Sequence, residues 1–259
     1  MQLNKVYMAD VNTFIDQVED GSAKLIIADP PYNQHKCGWD SFESDEKYWQ
    51  FMQSWLLKLY NKLADGGAVY LFNTAYNSAI TVNLLKDSGL SFRNWITWYK
   101  KDGFSATRRK YVNMQETILF YTKGDKYTFN YDDIRVPYES AERIQHAAKK
   151  GILKNGRRWF PNPNGKLCGD VWAIPSQRHK EKEKGRVKPS RHPTIKPRQM
   201  IERMVLASSG PGDLVLDLFS GSGMTSVVAK ELGRTFIGCE ADSGYISMIA
   251  GEGIEVGKL

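Results

Sequence analysis

The order of apolar and polar positions along this chain predicts strands that alternate with helices. Short, continuously apolar runs at 5–9, 24–28 and 68–72 are typical of strands buried on both faces, and apolar positions at helical spacing follow each of them. The further predicted elements are helices at 11–18, 47–63, 76–86, 198–208 and 224–232 and strands at 94–99, 116–122, 214–216 and 236–239. This alternation predicts an α/β fold with a doubly wound, mostly parallel sheet.

The alternation stops after about residue 124. The segment 147–188 is rich in Gly, Pro, Asn and basic residues and contains isolated aromatics, so it is predicted to form loops. Its last part, 179–189, has the composition of a mobile loop. One α/β core with a basic insertion is therefore the simplest description.

Composition limits the class of protein. The 259 residues, 41% of them hydrophobic, are enough to bury one full core, and a net charge of +7 with a pI near 9.1 favours a polyanionic partner. The chain contains no apolar stretch long enough for a membrane span, and its first residues lack a secretory signal. Its three cysteines are too far apart for a metal or redox pair, which predicts no metal site and a reducing, cytoplasmic location.

The tetrapeptide Asp29-Pro30-Pro31-Tyr32 comes directly after the apolar run 24–28. The exocyclic amine of a base is a poor nucleophile, because its lone pair is delocalised into the ring. The Asp29 carboxylate and the Pro30 carbonyl can accept its two N–H groups, and the two prolines stiffen the turn that carries both acceptors. Tyr32 offers a flat ring on which a base extruded from a duplex could stack. The motif therefore predicts a site that holds and activates an amine.

A second motif, Asp217 to Gly223, follows the predicted strand 214–216 and opens a helix. Gly221 and Gly223 let the backbone approach a ligand, and Glu240, seventeen residues past Gly223, suits ribose hydroxyls. A dinucleotide site would use similar residues, so the motif alone leaves a nicotinamide cofactor and S-adenosylmethionine open. Ser226 stands where a further glycine of the dinucleotide pattern would be expected, which favours S-adenosylmethionine.

Together and in this order, the two motifs resemble the β class of DNA amino-methyltransferases, in which the catalytic half comes first and the cofactor half last. The segment from His192 to Pro197 resembles the third marker of that family, and Asp10 matches an acid near the cofactor adenine. The resemblance implies a Rossmann-like fold of the S-adenosylmethionine-dependent type in one catalytic domain, 1–259. Its parts would be a catalytic half (1–124), a target-recognition insertion (125–190) and a cofactor-binding half (191–259).

The same resemblance implies the residues of the site. The catalytic residues would be Asp29, Pro30, Pro31 and Tyr32. The cofactor-binding residues would be Asp10, Asp29, His192, Pro193, Thr194, Lys196, Asp217, Phe219, Ser220, Gly221, Ser222, Gly223, Thr225 and Glu240.

The implied partner is double-stranded DNA, bound by two basic groups. These are Arg108, Arg109 and Lys110, and in the insertion Arg157, Arg158, Arg178 and Lys180. The run 180–188 taken alone is equally typical of a solvated lysine-rich loop. The resemblance also allows a homodimer and a companion restriction endonuclease.

The leading hypothesis is transfer of a methyl group to N6 of adenine by base flipping and direct in-line transfer. N4 of cytosine is the alternative within the same chemistry, although the family more often has serine in place of Asp29 for cytosine. A non-catalytic DNA-binding protein with a relic cofactor fold also stays open, while a nicotinamide enzyme and an RNA or protein acceptor are less favoured. Cys37 does not follow a proline, so a covalent cysteine mechanism has no support.

Overall fold

A computed structural model describes residues 1–100, 108–176 and 195–259 of the chain. Its strands are β1 (Lys5–Met8), β2 (Ala23–Ala28), β3 (Leu63–Asn73), β4 (Leu90–Tyr99), β5 (Gln115–Lys123), β6 (Ile152–Lys154), β7 (Arg157–Trp159), β8 (Val171–Ala173), β9 (Leu214–Asp217), β10 (Thr235–Glu240) and β11 (Glu255–Lys258). Its α-helices are α1 (Val11–Gln17), α2 (Asp45–Leu56), α3 (Leu59–Lys62), α4 (Ala75–Leu84), α5 (Ala141–Lys150), α6 (Arg198–Ser208), α7 (Met224–Glu231) and α8 (Ser243–Gly251).

Nine strands of the described residues form one sheet in the order β11-β1-β10-β9-β2-β3-β5-β4-β8. Neighbouring strands are parallel except around β5, which runs antiparallel to both β3 and β4. The carboxyl ends of β1, β2, β9 and β10 therefore meet at one edge, which we call the ligand edge. Because β5 runs the other way, it brings its first residues to that edge.

Helices cover both faces of the sheet. One core contains Phe14 of α1 and Trp55 of α2, and the other contains Met204 of α6, Val228 of α7 and Ile249 of α8. Each helix supplies a stripe of apolar side chains to one face, which is why the strands between them are apolar on both sides. The doubly wound, mostly parallel α/β prediction is confirmed.

The region between α2 and β3 differs from the prediction. The single helix expected over 47–63 is two helices, α2 and α3, and β3 begins at Leu63, although a glycine pair such as Gly66 and Gly67 is typical of the end of a helix. The pairing of β2 with β3 shifts register here, since Ala23 pairs with Leu63 but Leu25 with Ala68. Gly66 makes this irregularity possible: its φ is +66°, and a Cβ there would lie 2.5 Å from the Lys126 carbonyl oxygen.

The insertion contains more regular structure than predicted. The loop prediction for 147–188 is wrong where α5 ends and where β6, β7 and β8 lie. The α5 helix buries Ala147 but carries mostly polar side chains, so few apolar residues mark it in the sequence. The β6–β7 hairpin turns at Asn155 and Gly156, both with positive φ, a pairing typical of two-residue hairpins. The predicted mobile stretch 179–189 lies outside the described residues. The sequence pattern did not predict α8 or β11.

Across the ranges that the structure describes, no helix combines the length and apolar character needed to cross a lipid bilayer.

Candidate active site

A cleft of about 290 Å³ opens at the ligand edge. All four predicted catalytic residues line it, and so does every described residue predicted to bind cofactor except Gly223. Gly223 lies beside the cleft as the left-handed N-cap of α7, where a Cβ would come 3.1 Å from Ile249. The chain brings these distant segments together because β2 and β9 are neighbours in the sheet.

The Asp29-Pro30-Pro31-Tyr32 turn leaves β2 with its polar atoms held in place. The Tyr32 hydroxyl donates a hydrogen bond to Asp29 Oδ1 at 2.8 Å and lies 3.2 Å from Glu116 Oε2. Burial, together with the two nearby carboxylates, raises the pKa of Tyr32 well above its usual value. Tyr32 is therefore a neutral hydrogen-bond donor at neutral pH.

Asp40 holds the loop that follows the turn. It is buried, and its carboxylate accepts the backbone N–H groups of Tyr32 at 2.6 Å and Gln34 at 3.1 Å. Asn33, between these two bonds, and His35, directly after them, adopt positive φ values of 56° and 55°, which non-glycine residues adopt rarely. The sequence analysis did not identify Asp40, since an acid eight residues past the turn has no distinctive pattern.

Lys196, predicted to bind cofactor, lines the cleft beside the catalytic turn. Its ammonium is 2.7 Å from Asp29 Oδ2 and 3.5 Å from Glu116 Oε2, and only 9% of its side chain is exposed. Burial alone would lower the pKa of Lys196, but Asp29 and Glu116 together raise it above its usual value. Lys196 is therefore a buried cation with two anionic partners.

Glu116, at the start of β5, completes this group and was missed by the sequence analysis. Lys100 forms an ion pair with its Oε1, and Lys196 and Tyr32 lie at its Oε2. Burial would raise the pKa of Glu116, but Lys196 and Lys100 hold it below its usual value. We call Lys100, Glu116, Lys196 and Asp29 the charge chain. A glutamate that opens an apolar strand gave no signal of this role, because the direction of β5 brings it to the cleft.

The cofactor end of the cleft is acidic. Glu240 accepts the backbone N–H groups of Gly221 at 2.7 Å and Asp242 at 2.8 Å, and burial raises its pKa. Asp10 caps α1 by accepting from the backbone N–H and the hydroxyl of Thr13, which lower its pKa. Burial raises the pKa of Asp217 to about 7.

Two polar atoms at this end are buried and without a hydrogen-bond partner among the described residues, Asp217 Oδ2 and Ser220 Oγ. Buried polar atoms are usually satisfied, so their position in the cleft indicates a polar ligand. Carboxylates such as Asp10 and Glu240 accept hydroxyl donors and favour positive charge. These residues fit S-adenosylmethionine, which carries ribose hydroxyls, an ammonium and a sulfonium.

The predicted DNA-binding residues that the structure describes are exposed. Arg108, Arg109 and Lys110 lie between the gap in the described residues and β5, and Arg157 and Arg158 lie on β7. Arg158 donates a hydrogen bond to the Lys150 carbonyl at the end of α5, so it also braces the hairpin. Five predicted residues fall outside the described residues, His192, Pro193, Thr194, Arg178 and Lys180.

A search of the described ranges finds no group of three or more His, Cys, Asp or Glu side chains arranged to hold a metal ion.

Sequence comparison identifies relatives along nearly the whole chain. A family model described as DNA methylase, for N6 and N4 methyltransferases, matches residues 23–251. Type II methyltransferase M1.MboII of Moraxella bovis is 51% identical over 247 residues, which are 95% of this chain and 95% of that protein. M.HpaI of Haemophilus parainfluenzae, also a Type II methyltransferase, is 38% identical over 241 residues, 90% of this chain and 69% of that protein.

Solved structures share the fold. The M1.HpyAVI–SAM complex matches with a TM-score of 0.65 at 21% identity, covering 96% of this chain and 98% of that one. PvuII DNA methyltransferase, described as cytosine-N4-specific, matches with a TM-score of 0.71 at 16% identity, covering 96% and 86%. The family match and the sequence relatives confirm the resemblance found in the motifs. The chain therefore belongs to the DNA methylase family, whose members transfer a methyl group from S-adenosylmethionine to an amino group of a DNA base.

Proposed function

We propose that this DNA methylase modifies N6 of adenine in double-stranded DNA. The observation that carries the proposal is the position of Asp29: its carboxylate lies in the same cleft as the acidic cofactor end and is held by a donor on each oxygen. An acceptor fixed in this way can orient an amine toward a methyl donor, and positioning of this kind supplies much of catalysis.

In this proposal Asp29 and the Pro30 carbonyl accept the two N–H groups of the amine. Both acceptors draw the protons away from the nitrogen and make its lone pair more available. S-adenosylmethionine, when bound, supplies the methyl group as an electrophile. Tyr32 keeps Asp29 in one orientation through its hydroxyl, and its ring lines the cleft, where an extruded adenine could stack on it.

Within the described part of the chain we propose Asp10, Asp217, Ser220 and Glu240 as the main polar residues of cofactor binding. The other described residues predicted to bind cofactor stay part of the proposal: Asp29, Lys196, Phe219, Gly221, Ser222, Gly223 and Thr225. Asp10 and Glu240 would accept ribose or adenine donors. Asp217 Oδ2 and Ser220 Oγ would gain the partners that they lack. The predicted contributions of His192, Pro193 and Thr194 stay predictions.

Adenine is favoured over cytosine by residue 29. In the family motif an aspartate accompanies adenine more often, and a serine accompanies cytosine. N4 of cytosine stays the alternative, because its amine needs the same two acceptors.

We further propose that 1–124 forms the catalytic half, 125–190 the target-recognition insertion and 191–259 the cofactor half. The exposed Arg108, Arg109, Lys110 and Arg157 would contact DNA phosphates. The relatives' Type II names favour a companion restriction endonuclease. A homodimer and a cytoplasmic location stay predictions from the sequence.

The test is to identify the methylated nucleoside. Unmethylated DNA is incubated with the protein and methyl-labelled S-adenosylmethionine, then digested to nucleosides and separated. We expect the label in N6-methyldeoxyadenosine. Label in N4-methyldeoxycytidine would contradict the acceptor proposed here and keep the amine-holding chemistry.

A further inference from the structure

The charge chain is a continuous set of alternating charges that ends on the proposed amine acceptor. Lys100 pairs with Glu116 Oε1, Glu116 Oε2 lies 3.5 Å from the Lys196 ammonium, and Lys196 lies 2.7 Å from Asp29 Oδ2. The Tyr32 hydroxyl closes the group, since it lies 2.8 Å from Asp29 Oδ1 and 3.2 Å from Glu116 Oε2. Glu116 therefore contacts both of the groups that hold Asp29.

Burial makes this arrangement costly unless every charge has a partner. The side chains of Glu116 and Lys196 are 12% and 9% exposed, and those of Lys100 and Asp29 are each 23% exposed. Two cations and two anions balance, but a buried ion pair seldom stabilises a fold more than well-packed apolar side chains would. The presence of four such charges beside the cleft is therefore better explained by function than by stability.

The surroundings hold the cations in place. Lys100 lies over the Trp98 ring, 4.5 Å from its centre, and Lys196 lies 5.1 Å from the centre of the Phe72 ring. The Trp98 indole N–H donates to the Ile174 carbonyl at 2.7 Å, which fixes that ring. Among the described residues the charged or titratable groups that face Glu116 are Lys100 directly after β4, Lys196 before α6, and Tyr32 and Asp29 after β2.

We propose that Glu116 is a positioning residue for methyl transfer: it anchors the Lys196 ammonium so that this group donates to Asp29 Oδ2, while the single proton of the Tyr32 hydroxyl goes to Asp29 Oδ1. The carboxylate plane of Asp29 is then fixed from both sides, and its remaining lone pairs point to the amine. Lys100 acts one step further away, because it reaches Asp29 only through Glu116. This role rests on the amine-holding function proposed for Asp29.

The test compares Glu116→Gln with a charge-balanced variant that combines Glu116→Gln with Lys100→Met. Glu252→Gln, on the exposed end of α8, is the matched control. Each protein is assayed for the single-turnover rate of methyl transfer to a duplex that the wild type methylates. The affinity for S-adenosylhomocysteine, the melting temperature and the pH dependence of the rate are measured beside it.

We expect Glu116→Gln to slow transfer about 100-fold, the loss typical of a misplaced reacting group, while affinity for S-adenosylhomocysteine is retained. The alkaline limb of its rate profile should move to lower pH, because Lys196 loses an anion that raises its pKa. The charge-balanced variant should recover stability but stay slow. If Glu116→Gln alone does not fold, the rate of transfer is measured on the charge-balanced variant, which also lacks the Glu116 carboxylate.

A wild-type rate in Glu116→Gln would overturn the proposal. So would recovery of the rate together with the melting temperature in the charge-balanced variant, since Glu116 would then act only as a counter-charge. If the wild type labels N4 of cytosine, the adenine proposal fails, while the same rates on that product still decide the role of Glu116.

Discussion

The two ends of the cleft differ in how their buried polar groups are satisfied. At the catalytic end Asp29, Glu116 and Lys196 are all paired with side chains of the protein itself. At the cofactor end Asp217 Oδ2 and Ser220 Oγ have no hydrogen-bond partner among the described residues. The catalytic end is therefore preorganised, whereas the cofactor end has polar atoms that a ligand can satisfy.

This difference agrees with what each end has to do. An acceptor that orients an amine must keep one geometry through the reaction, and breaking one buried ion pair costs about 3–5 kcal/mol. A cofactor that is consumed in each cycle must enter and leave. A buried unsatisfied group costs about 1–3 kcal/mol, which a polar ligand relieves on binding.

The largest effect is expected at Asp29. Replacement by alanine removes the amine acceptor and takes the nearest anion from Lys196, so methyl transfer should fall more than about 1000-fold, as for loss of a central electrostatic group. Single-turnover transfer of labelled methyl groups to DNA measures this. Asp65→Ala, whose side chain is fully exposed, is the matched control. Transfer near the wild-type rate in Asp29→Ala would show that Asp29 is not the amine acceptor, and the pairing of its carboxylate would then have no catalytic meaning.

A smaller effect, on cofactor affinity and not on the rate of transfer, is expected at Glu240. Glu240→Gln should weaken the binding of S-adenosylhomocysteine about tenfold, the equivalent of roughly 1.4 kcal/mol, while transfer at saturating cofactor stays near the wild-type rate. Titration calorimetry gives the affinity, and Glu252→Gln serves again as the exposed control. Unchanged affinity with slowed transfer would mean that the two ends are not separate in function.

The smallest effect is a pH dependence of stability at Asp217. Burial raises the pKa of this carboxyl to about 7 in the folded protein, above the ordinary value of 3.8. Between these values the folded state binds a proton that the unfolded state has lost, so Asp217 lowers stability as pH rises from about 4 to 7. Asp217→Asn removes the titrating group. Its melting temperature relative to the wild type should therefore increase by several degrees from pH 5 to pH 7.5.

Thermal unfolding at a series of pH values, with Asp65→Asn as control, measures this difference. If the difference in melting temperature between Asp217→Asn and the wild type did not change with pH, Asp217 would have an ordinary pKa. Its environment would then resemble that of the paired catalytic end.

Most of the fold could be predicted because its strands have strong local signals. The runs at β2, β9 and β10 are mostly apolar, as expected of strands covered on both faces, and a polar residue of the cleft follows β2 (Asp29) or ends the strand (Asp217 of β9 and Glu240 of β10). The signal fails at α5, where few residues are buried. It also fails at the start of β3, where Gly66 permits an irregular register instead of ending a helix.

The candidate site could be predicted only in part, for a related reason. Asp29, Tyr32 and the Asp217 loop belong to compact motifs at strand ends, so their neighbours along the chain identify them. Asp40, Lys100 and Glu116 are single charged residues in ordinary segments. Nothing local distinguishes Glu116 from any other acid at a strand end, and the motif at 192–197 placed Lys196 near the cleft without indicating its ion pair with Asp29.

The sequence by itself determined the α/β class, the position of the two motifs and the family to which they belong, because these depend on short-range patterns of residues. Only the tertiary structure decided that β5 runs antiparallel and so brings Glu116 to the ligand edge. Only the structure paired Lys196, 167 positions along the chain from Asp29, with that carboxylate. Strand direction and ion pairing between distant segments depend on how the whole chain packs, and no local pattern of residues encodes them.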